Sequence, residues 1–420
     1  MKPYYILCLD GGGSWDIIQA MALKEIYGDV CGHKILRNFD LIVANSGGSL
    51  IAAGLVEGLK PSEIVALIKD ERKRKRIFSK LTFFERPFID DLVKLLGIGG
   101  PKYSAERKLI GLNEALPKTN ELYMQDAPAF IGKKSTHLVI CGFDYERERA
   151  VFFRSNPDSM AQSWKIEQRY NPKIPNGFTS VLLHQAIHAS SNAPVNYFNK
   201  PATFKIKGDN NLSYFWDGAI GGFNNPILVA LIEAKCNGIQ DNDIHILSIG
   251  TGNTFLPIIS SNSGIGLQFE WLAAPYVEPS FRNDLPKMAK SILSDPPDSD
   301  TFITYTMMFP HLPKSDDRFV RLNPLIQPVL RNSDNNIQWT IPEGLTPEDF
   351  QRLIKLDMDA VEQADVELID VFCEQWIKGN ISNQPIRAGG NLECVLGFPN
   401  FDAGKKAWQS VMMPLDNGDC

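Results

Sequence analysis

Several features that mark specialised protein classes are missing from this sequence of 420 residues. It contains no internal repeat, no low-complexity tract and no C-x-x-C pair. Basic residues are not in excess, because 43 lysines and arginines face 49 acidic residues and leave a formal net charge of −6. The composition therefore excludes collagen, coiled-coil and disordered chains, and it argues against a nucleic-acid binder, which is usually basic.

Cysteine is present but is not patterned. The seven cysteines are odd in number and scattered along the chain. Such spacing predicts neither a disulfide framework nor a zinc site. A reducing compartment is the simplest interpretation.

Long hydrophobic runs are also missing from the front of the chain. The apolar stretch before Asp10 is short, which predicts no signal peptide. The longest uncharged stretch there, between Asp40 and Glu57, is shorter than the roughly 20 residues that a membrane span needs. We therefore expect a cytoplasmic protein that meets membranes only peripherally.

What is present is a repeated order of strand, glycine-rich turn and helix. Tyr4–Leu9 reads as a buried strand, and the helical spacing of Ile17–Tyr27 follows it after three glycines. Phe39–Val43 and the apolar helix Leu50–Leu59 repeat the unit. Two such units in a row predict an α/β fold, a three-layer α/β/α sandwich with a mainly parallel central sheet.

Later segments fit the same architecture until the amino-acid composition changes near Asn253. Residues 253–345 are rich in Pro, Ser, Asp and Asn, and Thr346 is placed to cap a long amphipathic helix. We predict a catalytic domain over residues 1–252 and a C-terminal extension over residues 253–420 that packs on it. The further predicted elements are strands at His137–Asp144, Ala150–Arg154 and Ile244–Ile249 and helices at Ser180–Ala189, Pro226–Ala234 and Pro347–Lys378.

Ser46 lies in a turn between a buried strand and an apolar helix. A serine at this place is typical of a nucleophile elbow, which needs small residues two positions before and after it. Ala44 and Gly48 meet that need, although alanine replaces the usual first glycine. A plain glycine turn is the alternative, and the motif alone does not decide between them.

Asp10-Gly11-Gly12-Gly13 follows the first strand. Three glycines in a row expose successive backbone N–H groups, and such a nest binds anions. The anion could be a phosphate or the oxyanion of an acyl-transfer intermediate. A tight connection between strand and helix is the bland alternative, but it does not require three glycines.

A third motif, Asp217-Gly218-Ala219, precedes Asn224-Asn225-Pro226. An aspartate at the end of an apolar segment can point into a cleft, although on its own it is more often a turn residue.

Together the three motifs resemble the patatin-like phospholipases. Pro101–Ser104, the segment Ala186–Phe198 and the strand Leu247–Gly252 also resemble stretches of that family, so the resemblance covers roughly residues 4–252. It implies a carboxylic ester hydrolase that acts on lipids or other acyl esters without cofactor or metal. One departure is that Ser14-Trp15-Asp16 stands where the family usually has a basic residue and then a glycine.

The resemblance also implies the roles of the site residues. Ser46 matches the nucleophile, Asp217 matches the base of a Ser–Asp dyad, and Gly11, Gly12 and Gly13 match the oxyanion loop. An aspartate needs partial desolvation to act as a base, because its ordinary pKa is near 3.9. We expect none of the six histidines to take part, since His184 and His188 lack a nearby carboxylate and His245 reads as buried structure.

Two rivals stay open. An actin-like ATP-dependent sugar kinase could use Asp10–Ser14 and Gly250-Thr251-Gly252 as phosphate loops, but it gives Ser46 and Asp217 no role. A patatin-fold binding protein without activity is the second rival.

A basic run, Arg72–Arg76, stands beside four phenylalanines, Phe78, Phe83, Phe84 and Phe88. Basic and aromatic residues together are what a peripheral protein offers to an anionic membrane. The favoured alternative is a solvated helix end beside core phenylalanines.

Overall fold

A large mixed sheet organises the part of the chain that the computed structural model describes, residues 2–82, 85, 100–159, 180–206, 211–258, 265–311, 315–333, 336–389, 394–415 and 420. Numbered in chain order, its strands are β1 (Tyr4–Leu9), β2 (Leu41–Ala44), β3 (His137–Asp144), β4 (Arg149–Arg154), β5 (Ala202–Phe204), β6 (Ser213–Asp217), β7 (Ile244–Ile249) and β10 (Phe319–Leu322). The order is β10-β7-β1-β2-β3-β6-β5, and β4 pairs with β3. Neighbours from β10 to β3 are parallel, whereas β4, β5 and β6 pair antiparallel.

Short strands outside this sheet form three small pairings. In the first, β8 (Asn253–Thr254) pairs with β11 (Leu325–Ile326). In the second, β13 (Asn336–Thr340) lies between β12 (Val329–Ser333) and β9 (Gly266–Leu267). In the third, β14 (Arg387–Ala388) pairs with β15 (Cys394–Leu396).

Helices surround the sheet. They are α1 (Ile17–Tyr27), α2 (Gly32–Leu36), α3 (Ser46–Val56), α4 (Pro61–Lys69), α5 (Glu71–Ile77), α6 (Ala105–Ala115), α7 (Ala127–Ile131), α8 (Leu183–Ser190), α9 (Ile227–Cys236), α10 (Phe281–Met308), α11 (Pro347–Lys355), α12 (Gln363–Ile377) and α13 (Phe401–Val411). Among the described helices, none has both the length and the apolar content to cross a membrane.

Helices cover both faces of the sheet. Along β1, Leu7 and Leu9 belong to a core cluster with residues of α1 and α3, whereas Ile6 and Cys8 belong to a second cluster with residues of α9. Successive strand residues point to opposite faces, so each face has its own core. The predicted three-layer α/β/α fold is therefore confirmed.

The register of the parallel strands brings the motifs to one edge. Leu9 at the end of β1 pairs with Ala44 on one side and Ile249 on the other. Ligand and catalytic groups gather where parallel strands end, because the following loops leave the sheet together there. On β6, Asp217 pairs with Gly142 and reaches the same region.

The C-terminal extension is built into this core. Its strand β10 pairs with β7, and Trp408 of α13 stacks on Phe39 with ring centroids 6.0 Å apart. The predicted single helix over 347–378 is interrupted, because α11 ends at Lys355 and α12 begins at Gln363. Helix α10 was not predicted, since prolines at 286, 296 and 297 hide its periodicity.

One disulfide corrects the cysteine analysis. Cys31 and Cys420, which are 389 residues apart in the sequence, are bonded, whereas Cys8, Cys141, Cys236, Cys373 and Cys394 are free thiols. A single bond between distant residues carries no spacing signal, which is why the sequence did not reveal it.

Candidate active site

Ser46 occupies a strained turn between β2 and α3. Its φ of 48° lies in the left-handed region, which residues other than glycine rarely adopt. Its backbone N–H donates to the Ser190 hydroxyl oxygen at 2.9 Å. A side chain at position 48 would lie 2.5 Å from the carbonyl oxygens of Leu9 and Asp10, so Gly48 is required. The turn therefore has the geometry of an elbow that presents a serine.

Asp217 lies at the end of β6 and is buried beside Ser46. Its Oδ1 accepts a hydrogen bond from the Ala219 N–H at 2.9 Å and one from the Asn45 amide at 3.2 Å. Burial raises the pKa of Asp217, and hydrogen bonds from Ala219, Ser46 and Asn45 oppose that rise. The structure thus brings the two predicted site residues into direct contact.

Asn45 and Ser190 support this pair, and sequence analysis did not single them out. Asn45 Oδ1 accepts a hydrogen bond from the Ser190 hydroxyl at 3.4 Å, while its amide holds Asp217. Ser190 in turn accepts from the Ser46 N–H. The only available signal was the position of Asn45 directly before the serine.

The first glycine of the loop has a packing role. The Gly11 N–H donates to the Asn224 carbonyl at 2.9 Å, so it is not aimed at a substrate oxygen. A Cβ at this position would lie 2.7 Å from Ser46 Cβ, which explains why glycine is needed. Candidate oxyanion donors therefore narrow from the three predicted glycines to Gly12 and Gly13.

Gly12 and Gly13 are both closely packed. A Cβ on Gly12 would lie 2.4 Å from the Thr251 hydroxyl, and one on Gly13 would meet the Met358 carbonyl oxygen at the same distance. Gly13 also has a φ of +62°. Within the described residues, neither N–H donates to a backbone carbonyl. Both amides are thus available to an anion.

Asp10, which opens the glycine loop, forms an ion pair with the extension. Arg321 on β10 donates from Nη1 to Asp10 Oδ1 at 2.8 Å and to the Ser248 hydroxyl at 2.8 Å. Burial raises the pKa of Asp10, and the Arg321 guanidinium opposes that rise. The glycine loop is therefore fixed at its start by a residue more than 300 positions away, which no local motif could reveal.

The two residues that depart from the family pattern are buried. Trp15 Nε1 donates to the Asp357 carbonyl at 3.2 Å. Asp16 packs so closely against Gly47 that a Cβ there would overlap its Oδ2, and both of its carboxylate oxygens lack a hydrogen-bond partner. Burial, then the charges of Asp10 and Asp217, raise the pKa of Asp16 well above its ordinary value.

Residues 357–362, which we call the strap, connect α11 to α12 and reach over the site. The Met358 carbonyl accepts from the Ser14 N–H at 2.9 Å. Asp357 accepts from the Tyr197 hydroxyl and Asp359 from the Tyr103 hydroxyl, both at 2.7 Å. The interruption of the predicted long helix therefore places backbone of the extension at the glycine loop.

Two adjoining cavities meet at the elbow. A cleft with about 380 Å³ of empty space, open solvent included, is lined by Ser46, Lys108, Tyr197 and Met358. A larger, mostly apolar cavity with about 700 Å³ of empty space, open solvent included, extends between α3, α4, α5 and α6. The residues that line both are Gly13, Gly47, Leu50, Ile77 and Phe78.

The histidines have other partners. His184 bonds the Asn113 and Thr119 side chains, and His245 lies against the Tyr5 ring and the Asp243 carbonyl. In the described part of the chain, no histidine nitrogen bonds Ser46 or Asp217.

One group of side chains has metal-ligand chemistry. Ligand atoms of Cys31, His33 and Cys420 lie within 4.8 Å of one another. Because the two sulfur atoms are bonded to each other, they are not thiolate ligands, and we assign no metal to this group.

The basic run does not form one exposed face. Arg74 is buried and donates to the Val361 carbonyl of the strap at 3.1 Å, whereas Arg72 and Lys73 are exposed. Phe78 packs on the rings of Tyr103 and Phe198. Phe83, Phe84 and Phe88 lie outside the described residues. Phe78 therefore packs among other rings, as the alternative interpretation proposed, whereas the buried Arg74 does not belong to a solvated helix end.

A family model described as patatin-like phospholipase matches residues 7–231, which is more than half of the chain and includes the glycine loop, Ser46 and Asp217. The chain belongs to the patatin-like phospholipase family. A "cGAMP-activated phospholipase" from Pseudomonas aeruginosa is 28% identical over 253 residues, or 60% of this chain. The chain matches 63% of that relative, which is less than two thirds of the relative's length.

Solved structures of two proteins resemble this patatin-like chain more distantly. VipD from Legionella pneumophila is 13% identical with a TM-score of 0.34, and the match covers 88% of this chain and 67% of VipD. The type III effector protein ExoU is 11% identical with a TM-score of 0.27, covering 89% and 53%. We draw nothing about the site from these two values.

Family membership removes one rival. The patatin model covers the Asp10–Gly13 loop, which an actin-like kinase would use to bind phosphate. It also covers Ser46 and Asp217, to which a kinase gives no role. In addition, Thr251 packs against Gly12 and donates to the Gly11 carbonyl at 3.0 Å. The two loops that the kinase interpretation assigns to phosphate therefore pack directly against each other. The sugar-kinase interpretation is therefore wrong.

Proposed function

We propose that this chain is a serine hydrolase that cleaves acyl esters of lipids through a Ser46–Asp217 dyad. The observation that carries the proposal is the placement of Ser46, at a left-handed turn, against the buried Asp217 carboxylate, which Asn45 holds by a hydrogen bond. Burial raises the pKa of Asp217, and an aspartate with a raised pKa is a better general base. No histidine is required for this chemistry.

In the proposed reaction, Ser46 Oγ attacks the ester carbonyl while its proton passes to Asp217. The tetrahedral intermediate collapses when the bond to the leaving alcohol breaks, and Asp217 returns the proton to that alcohol. The acyl group is then bonded to Ser46. Water, deprotonated by the same carboxylate, then attacks the acyl-enzyme. The bond between the acyl group and Ser46 Oγ breaks, Asp217 returns the proton to Oγ, and the fatty acid is released.

We assign the oxyanion hole to backbone N–H groups of Gly12 and Gly13, together with Gly47. Gly47 directly follows the nucleophile and begins α3, where the helix dipole favours negative charge. The amides of Gly12 and Gly13 have no backbone carbonyl partner among the described residues. Donors that are already oriented toward a developing charge lower the barrier without reorganisation.

The cavities indicate where a lipid would lie. The cavity of about 700 Å³ is lined by aliphatic side chains such as Leu50, Ile51 and Leu112, and it meets the serine cleft at the proposed oxyanion donors. We therefore assign the larger cavity to the acyl chain of the substrate, because alkyl chains are stabilised by burial against apolar surface.

Labelling with a fluorophosphonate probe tests the nucleophile, and a hydrolysis screen against phospholipids, monoacylglycerols and nitrophenyl esters tests the activity. Ser46→Ala should abolish labelling and hydrolysis without changing the melting temperature by more than a few degrees. Ser191→Ala is the matched control, because Ser191 lines the same cleft but donates its hydroxyl to the Ile187 carbonyl. Retained labelling of the Ser46→Ala protein would refute the assignment, and a folded, unlabelled wild type would favour an inactive binding protein.

We also propose that an effector controls this activity, with cGAMP as the first candidate because the Pseudomonas aeruginosa relative is named for that activator. The specific observation is the strap, whose Met358 carbonyl abuts Gly13 and bonds the Ser14 N–H. A strap held this way restricts substrate access to the loop.

The test compares probe labelling of the wild type with and without cGAMP. We expect cGAMP to raise the labelling rate. We expect Tyr103→Phe, which removes the hydroxyl bond to Asp359, to raise labelling without cGAMP. Equal labelling rates in all these samples would remove the control mechanism and leave the dyad proposal intact.

A further inference from the structure

Lys108 is a buried lysine that the proposed reaction does not use. It lies on α6, its exposed fraction is 1%, and its side chain lines the same cleft as Ser46. Lysine is almost never fully buried unless its charge is paired. Its position beside a nucleophilic serine therefore requires an explanation.

The contacts of Lys108 leave its charge without a close anion. Its Nζ donates to the His188 carbonyl at 3.2 Å and lies 4.5 Å from the centroid of the Phe198 ring. Among the described residues, no carboxylate is within ion-pair distance of this nitrogen. An ammonium group has three donors, so a carbonyl and a ring face do not use its full capacity.

The electrostatic surroundings indicate an anionic ligand. Burial lowers the pKa of Lys108 well below its usual value, and the negative charge of Asp217 opposes that decrease. His188, which also faces the ammonium group, has its own pKa lowered by burial and then by Lys108. A bound anion would stabilise the charged form of Lys108, because an opposite charge nearby favours ionisation.

The arrangement of the cavities orients the substrate relative to Lys108. The ester must lie at the junction of the two cavities, where Gly13 and Gly47 meet Ser46. With the acyl chain in the larger cavity, the alcohol part of the ester is directed into the cleft. Lys108 lines the cleft but not the larger cavity, so it faces the leaving group and not the acyl chain.

We propose that Lys108 is a specificity-determining residue that binds the phosphate of a phospholipid substrate while the ester lies at Ser46. This inference rests on the proposed hydrolase function and names its substrate class as phosphate-bearing esters.

The test compares kcat/KM of the wild type and of Lys108→Met on two substrates with the same acyl chains. These are dioleoyl phosphatidylglycerol and dioleoylglycerol, each in the same detergent micelles. Methionine keeps the apolar stem and removes the charge. We expect a loss of about 10- to 100-fold on the phospholipid, as for a lost charge-assisted hydrogen bond, and a change below about threefold on the neutral lipid.

Lys200→Met is the matched control, because Lys200 is exposed and its ammonium group pairs with the exposed Glu106 in the described part of the chain. It should change neither value. Equal losses on both substrates in Lys108→Met would overturn the proposal, since they would show that Lys108 acts on Asp217. An unchanged phospholipid rate would overturn it as well.

A measurement on the wild type covers the case in which Lys108→Met does not fold. Hydrolysis of a neutral nitrophenyl ester should be inhibited competitively by sn-glycerol 3-phosphate and not by glycerol. Equal effects of the two compounds would contradict phosphate binding while leaving the hydrolase intact. If the wild type hydrolyses no ester and binds no fluorophosphonate, the hydrolase proposal and this one fall together.

Discussion

The two sides of the cleft at Ser46 differ in how completely their polar groups are satisfied. On the elbow side, Asn45 bonds both Asp217 and Ser190, and Ser190 accepts from the Ser46 N–H. On the glycine-loop side, the Ser14 hydroxyl and both oxygens of Asp16 are buried without a partner among the residues that the structure describes. Buried polar groups are normally paired, so the difference is meaningful.

The elbow side is therefore preorganised by hydrogen bonds, whereas the glycine-loop side contains buried polar groups that are not hydrogen-bonded within the described residues. The bonded network holds the proposed nucleophile and base in one geometry, which is what catalysis requires of reacting groups. On the loop side, burial and then the charges of Asp10 and Asp217 raise the pKa of Asp16 well above its ordinary value.

The largest expected effect comes from breaking the elbow side. Asp217→Asn should lower kcat by about 10²- to 10⁴-fold, the range for loss of a general base, because asparagine cannot accept the serine proton. His184→Ala and His245→Ala are the controls, and hydrolysis by both should remain. If either histidine variant lost as much activity while staying folded, the dyad would be wrong and a triad right.

An intermediate effect is expected at the exposed surface of α5, the helix that borders the cavity we assign to the acyl chain. The substitutions are limited to Arg72 and Lys73, which are exposed, because Arg74 is buried. If this surface contacts an anionic membrane, Arg72→Gln with Lys73→Gln should weaken binding to phosphatidylglycerol vesicles by about 30-fold, since each such charge contributes about 1 kcal/mol. Sedimentation at rising salt measures it, and binding that ignores both salt and substitution would exclude the contact.

The smallest expected effect is the contribution of Asp16, on the glycine-loop side, to the pH dependence of stability. Because its pKa is raised in the folded protein, the folded state holds the proton more tightly than the unfolded state, in which the pKa is about 3.9. Wild-type stability should therefore fall as the pH rises from about 4 toward the raised pKa. Asp16→Asn removes this contribution, so its melting temperature relative to wild type should be higher at pH 8 than at pH 5, by a few degrees.

Asp158→Asn, a substitution of an exposed aspartate, is the control for that comparison. Its melting temperature should follow the wild type at both pH values. A difference between Asp16→Asn and wild type that does not change with pH would mean that Asp16 is not the proton-carrying group.

Local patterns in the sequence predicted the fold and singled out Ser46 as the candidate nucleophile. Ser46 was identifiable because strand, small residues and helix must follow one another at an elbow, and the observed positive φ and the tight approach at Gly48 are the physical reasons. Asp217 required the family resemblance, because an aspartate in a glycine turn has many other uses.

Residues from distant parts of the chain could not be predicted in this way. Arg321, Met358 and Lys108 reach the site through tertiary packing, and nothing in their own neighbourhoods marks them. The break between α11 and α12 was also missed, because both segments are amphipathic and their periodicity continues across the gap. Such features depend on contacts that no short window contains.

The placement of β10 at the edge of the sheet has a consequence for how this protein is made. The segment that matches the family ends at residue 231, and β7 follows soon after, yet its partner strand emerges from the ribosome some seventy residues later. Until then β7 presents an unpaired apolar edge, the kind that recruits other chains. A gene truncated after residue 252 would make that interval permanent and leave Asp10 buried without Arg321, so it should yield aggregates and not a minimal enzyme.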